Sequence, residues 1–252
     1  AIYAACKATV KVGDGKEITL HEETNYPFEE GIAFTVSTDE KVAFPFYLRI
    51  PSWTQKAEVR VNGKKVSAAP VAGKYLCINR EWANGDRVEL TLPMSLSMRT
   101  WQVNKNSVSV DYGPLTLSLK IAEKYVEKDS RETAIGDSKW QKGADSKKWP
   151  TTEIYPDSPW NYSLVLDKKE PLKNFKVIRK SWPADNYPFT VASVPLEVKA
   201  IGRPVPEWKI DETGLCGVLP EEDAVKGDKE EITLIPMGAA RLRISAFPNT
   251  KE

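Results

Sequence analysis

Two Asn-Gly pairs set among alternating apolar residues constrain this chain more than any other feature. Residues 44–94 contain FPFYLRIPSW, then AEVRVNGKKV, then GKYLCINREWANGDRVELTLPM. Asn62-Gly63 separates Val59 and Val61 from Val66, and Asn84-Gly85-Asp86 separates Ile78 from Val88. A type I′ turn needs positive φ at both central residues, which Asn and Gly accept cheaply, so the pattern predicts hairpins in an antiparallel sheet.

Alternation dominates the rest of the chain. Apolar and polar residues alternate over 8–12, 18–23, 33–37, 46–50, 57–61, 74–79, 87–92, 107–112 and 115–121, and again over 161–166, 175–179, 196–201, 207–210, 232–235 and 241–246. Short strands at this spacing, punctuated by Gly, Pro and Asn, predict an all-β chain of two β-sandwich, jelly-roll-like domains with mostly antiparallel strands. The period is lost over 122–158, which is rich in Lys, Asp and Ser. That stretch reads as a surface connection anchored by Trp140 and Trp149, with a short helix over 122–126. The expected organisation is a first sandwich at 1–122, an irregular connection at 123–158, a second, smaller sandwich at 159–228 and C-terminal strands at 229–252. Eighteen prolines, many in the second half, keep those strands short and at edges.

Composition excludes several classes. The 36 Lys and Arg against 35 Asp and Glu leave almost no net charge, so nothing draws the chain to nucleic acid or to a membrane surface. There is no run of about 18 apolar residues and no targeting signal within the chain. Cys6, Cys77 and Cys216 are too scattered for a disulfide framework or a metal knuckle, and Cys77 reads as a core-facing or half-buried small hydrophobe. His21 is the single histidine and reads as a surface strand residue, so no Ser-His-Asp or Cys-His set can be assembled around it. Glu22-Glu23, Glu29-Glu30 and Glu221-Glu222-Asp223 are adjacent carboxylates. Neighbours on a strand point to opposite faces, whereas glycoside hydrolysis needs two carboxyls about 5–9 Å apart across one sugar, so these read as solvated charge. No catalytic residue and no metal ligand is assigned.

Eight tryptophans admit a carbohydrate-binding reading. Sugar C–H faces stack on aromatic planes while nearby polar groups bond the hydroxyls. The densest aromatic-polar cluster is Trp160, Asn161 and Tyr162, following Tyr155-Pro156-Asp157-Ser158-Pro159. The competing reading has these rings capping a sandwich core or packing on another domain. Trp53 and Trp82 are placed to close the ends of the first sandwich, with Gly85 supplying positive φ and Asp86 accepting from turn amides.

The blocks LRIPSW, a strand ending in VNG, GKYLCINREWANGD, VELTLPM and VDYGPLTLSL resemble the β-sandwich region that follows the catalytic barrel in glycoside hydrolase family 127. EETNYPFEEGIAFTV, PWNYSLVLD, PLEVKAIGRPVPEWKID and ITLIPMGAARLRISAFP extend the resemblance over nearly the whole chain. The family is β-L-arabinofuranosidase-like. The resemblance implies an accessory region whose catalytic partner is an N-terminal (α/α)6 barrel of the same polypeptide. The zinc, the cysteine nucleophile and the glutamate acid/base belong to that barrel and match no position here, so no cofactor is expected in this chain. The start at Ala1, inside a strand pattern and without Met, reads as a piece of a longer protein. A homodimer and a plant oligosaccharide are the further partners to test, and the expected location is periplasmic or extracellular. The resemblance also implies that the final strands return to the first sandwich, while the residues alone leave the topology open. Its rival is a free-standing carbohydrate-binding module.

Overall fold

The structure is a computed structural model describing residues 3–129, 145, 147–212, 214–221 and 227–252. Trp140, Glu222 and Asp223 lie outside the described residues. The chain forms two compact units, Ala1–Ser97 with Asp111–Leu115, and Met98–Val110 with Thr116–Glu252. Strands at 98–110 and 116–121, grouped from sequence with the first sandwich, therefore lie in the second unit.

The first unit holds β1 (Cys6–Val12), β2 (Lys16–Thr24), β3 (Gly31–Ser37), β4 (Val42–Arg49), β5 (Glu58–Val61), β6 (Lys64–Lys65), β7 (Tyr75–Trp82) and β8 (Arg87–Thr91). Six of these form a sheet in the order β1-β2-β3-β8-β5-β6, and β4 pairs with β7 in a second sheet. The pairings within both sheets are antiparallel. Alternation puts Ile32, Phe34 and Val36 of β3 and Val88 and Leu90 of β8 on one inner face. Val42, Phe44, Phe46 and Leu48 of β4 join Leu76 and Trp82 of β7 in the same buried cluster. Each such side chain contributes about 1.5–3 kcal/mol through burial, so the period-2 pattern and the sandwich are one fact seen twice.

The two Asn-Gly turns do different work. Asn62 (φ 50°) and Gly63 (φ 75°) join β5 to β6 as a hairpin. Gly85 also has positive φ, at 84°, but β7 pairs with β4 while β8 pairs with β3 and β5. The Asn84-Gly85 turn thus carries the chain from one sheet to the other and is not the expected hairpin. Trp82 fixes this crossing: the ring is fully buried and its Nε1 donates to the Phe44 carbonyl at 3.0 Å.

The chain continues through β9 (Leu96–Trp101), β10 (Ser107–Tyr112), β11 (Leu115–Leu119), β12 (Glu123–Lys128), β13 (Thr151–Pro156), β14 (Tyr162–Leu166), β15 (Lys176–Arg179), β16 (Leu196–Pro204), β17 (Glu230–Pro236) and β18 (Asn249–Lys251). An eight-stranded sheet runs β18-β14-β16-β17-β11-β10-β9, with β15 on β16. The pairing of β14 with β18 is parallel. β10 and β14 are buried along their whole length, as strands covered on both faces must be.

The stretch 122–158 departs from its expectation. In place of the short helix over 122–126, β12 pairs in register with β13, Tyr125 opposite Ile154 and Glu123 opposite Pro156. Trp149, expected as an anchor, is 72% exposed. Residues 241–246, expected as a strand, are a loop, and 207–210 contributes only the bridge from Ile210 to Cys216.

Candidate functional site

Trp160, Asn161 and Tyr162 are adjacent in sequence, but their side chains have three separate surroundings. Tyr162 is buried, and that burial, with a hydrogen bond to Glu230, raises its phenol above the ordinary range. Asn161 is spent on the backbone. Its Nδ2 donates to the carbonyls of Val205 at 2.9 Å and Trp208 at 3.2 Å, and its own carbonyl accepts from the Val205 amide at 2.8 Å. Trp160 alone of the three lines an open cleft of about 550 Å3 in the second unit.

The cleft is built from three segments. β13 supplies Glu153, Ile154, Tyr155 and Pro156 along one wall. The turn at 210–216 supplies Ile210 and Leu215, and the loop at 241–244 supplies Arg241 and Arg243. The turn is held by the Ile210–Cys216 bridge, by the Leu215 amide donating to Asp211 Oδ1 at 3.0 Å, and by Gly214 at φ 82°.

Polar groups in the cleft are oriented by partners. The Tyr155 hydroxyl donates to Glu153 Oε2, and Lys128 Nζ stands 4.0 Å from the same oxygen. Arg241 stands near the phenols of Tyr187 and Tyr125, and its amide donates to Glu123 Oε1 at 2.9 Å. Arg243 Nε donates to the Ala240 carbonyl at 2.9 Å. The cleft therefore offers one aromatic face, an oriented carboxylate with its phenol, and guanidinium groups from the loop at 241–244. Aromatic density at Tyr155 and Trp160 was visible in the sequence. The arginines were not, because they lie about 80 residues away in a stretch whose alternation reads as a strand and not as the wall of a cleft.

The other residues weighed from sequence are dispersed. His21 is exposed on β2 opposite Thr35. Glu22 and Glu23 do point to opposite faces, but Glu22 is not the solvated charge expected. It is 5% exposed, accepts from the Ala4 amide at 3.1 Å, and burial raises its carboxyl above the usual range. Glu23 pairs with Arg87 at 3.1 Å. Cys77, expected to be core-facing or half-buried, is exposed, because Leu76 and Trp82 take the inward register of β7. Among the described residues no three His, Cys, Asp or Glu side chains converge as metal ligands. No helix among the described residues is long and apolar enough to cross a membrane.

Comparison with known proteins places the fold. Residues 1–94 match the family described as beta-L-arabinofuranosidase, GH127 middle domain. No curated protein matches the chain. Among solved structures, a GH127 β-L-arabinofuranosidase from Geobacillus stearothermophilus T6 is 22% identical, with a TM-score of 0.62 over 99% of this chain and 33% of its own. A protein described as a glycoside hydrolase is 22% identical, with a TM-score of 0.62 over 99% of this chain and 35% of its own. A GH127 β-arabinofuranosidase is 23% identical, with a TM-score of 0.58 over 97% of this chain and 33% of its own. The chain thus spans about a third of the length of these relatives, and at this identity the likeness is one of fold. In sequence over residues 1–94 the chain is similar to the GH127 middle domain, and in fold over nearly its whole length it is similar to about a third of each of these solved structures.

Proposed function

We propose that this chain is an accessory β region of a glycoside hydrolase acting on β-L-arabinofuranosides or related plant-glycan sugars, and that it supports a catalytic portion of the same polypeptide. The observation that carries the reading is the fold likeness, which takes in 99% of this chain but only a third of the solved arabinofuranosidase. The match of residues 1–94 to a middle domain supports it further. The role is mechanical: a sandwich with a continuous buried core from Tyr3 to Leu92 offers a base on which a catalytic portion is held. Hydrolysis itself, and export to the periplasm or cell exterior, belong to the whole protein under this reading.

The test is the protein that carries this chain at its locus. A reading frame encoding several hundred helical residues before Ala1 is expected, and deleting residues 1–252 should abolish soluble, active enzyme on an aryl β-L-arabinofuranoside. A locus with no such portion, or an enzyme indifferent to the deletion, overturns the reading.

A further inference from the structure

The second unit's cleft has the attributes of a ligand site that the accessory role does not require. Its volume, about 550 Å3, lies within the roughly 300–1,000 Å3 range of small-molecule sites. Its aromatic platform is fixed before any ligand arrives. Trp160 packs edge-on against Trp208 with centroids 5.2 Å apart. Trp208 is 3% exposed, and its Nε1 donates to the Gly217 carbonyl at 3.0 Å. Asn161 clamps the same Val205–Trp208 turn from beneath. A platform whose rotamer is already set loses little entropy on binding, which is the condition for useful affinity from a small contact area.

The walls suit a ring with one apolar face and a polar edge. Ile210 and Leu215 remain 43% and 66% exposed beside Trp160, an arrangement that costs hydration in the empty cleft and is relieved by C–H contact. Glu153, oriented by Tyr155, accepts from hydroxyls, and Arg243, its plane set by Ala240, donates to them. A neutral sugar uses both signs of charge, its hydroxyls donating to Glu153 and accepting from Arg243.

We propose that this cleft binds a short neutral oligosaccharide, one ring stacked on Trp160 and its hydroxyls bonded by Glu153 and Arg243. The inference rests on the glycoside hydrolase reading only for the choice of sugar to offer; the site stands on the cleft's own residues.

The test is calorimetric titration of the full 252-residue chain with neutral arabino-oligosaccharides and, separately, with oligogalacturonides. The neutral series is expected to bind and to weaken about tenfold in Trp160→Ala, the loss of one aromatic contact. Tyr155→Ala should weaken it several-fold. Trp101→Ala, an exposed tryptophan on β9 outside the cleft, should leave binding unchanged. Near-UV circular dichroism checks the fold of each variant. Should Trp160→Ala unfold, Tyr155→Ala decides, since that side chain is exposed at the wall. No binding at millimolar sugar, preference for the acidic series, self-association through the cleft in place of sugar uptake, or affinity indifferent to both cleft variants overturns the proposal. A locus without a catalytic portion would sink the accessory reading while leaving these outcomes unaffected.

Discussion

Asp86 shows how one carboxylate can tie a turn to two strands. Burial opposes its ionisation, but the Ala83 amide at 2.9 Å, the Asn62 amide at 2.7 Å and the Arg80 charge at 3.4 Å hold its carboxyl below the usual range. A depressed carboxyl means that the unfolded chain binds the proton more readily. Its stabilisation is therefore complete above the unfolded value of about 4 and is lost as pH falls through the lower folded value. Asp86→Asn should cost about 1–3 kcal/mol at pH 7, because an amide cannot match all the donors, and the gap from the parent should close in acid melts. A gap independent of pH would refute the assignment. Glu22 runs the other way. Burial raises its carboxyl, so ionisation is a penalty, absent below about pH 4 and growing as pH rises toward the folded value. Glu22→Gln keeps an acceptor for the Ala4 amide and should raise the thermal midpoint at pH 7 but not at pH 3. Trp82→Ala removes a fully buried ring packed 5.6 Å from Phe44 and 5.8 Å from Phe46, and should cost about 3–5 kcal/mol by denaturant titration.

At the scale of elements, the connection between β7 and β8 marks what the sequence could and could not convey. Gly85 at φ 84° predicts that Gly85→Val lowers the unfolding midpoint, since a β-branched side chain is strained there; an unchanged midpoint would count against the turn. The need for positive φ was legible from Asn84-Gly85. Whether the turn joined neighbouring strands or crossed between sheets was not, because both use the same backbone angles. That choice was made by Trp82 anchoring on Phe44 and by β8 finding β3. The strands of the sandwich core were legible wherever one face is apolar, as in β3 and β4. β12 and β13 were not: EKYVEK and TTEIYP present no continuous apolar face. Polar contacts run along each strand, as where the Tyr125 hydroxyl donates to Glu123 Oε2 at 2.5 Å on β12, and hydrophobic periodicity does not register them. The cleft was half legible for a related reason. Aromatic crowding marked Trp160, while Arg241 and Arg243 came to it only through tertiary packing.

For the whole molecule, the issue is whether any of these groups can hydrolyse a glycosidic bond. Retaining hydrolysis needs a nucleophile and an acid/base about 5–5.5 Å apart across one sugar, the acid/base with a raised pKa. Glu22 has the raised value but lies against the first unit's core with the Ala4 amide on its oxygen. Glu23 faces the other way, paired with Arg87. In the cleft, Glu153 is the carboxylate and Cys216 the thiol among the lining residues, and the groups bonded to Glu153 are a phenol and a lysine ammonium, which cannot serve as its carboxylate partner. The 252-residue chain should therefore release no sugar from aryl β-L-arabinofuranosides, even if it binds oligosaccharides at Trp160. The decisive assay follows release of the aryl group by the repurified chain beside Glu153→Gln and Glu22→Gln. Turnover that persists through repurification and disappears in either variant would place catalysis in this chain and end the accessory reading.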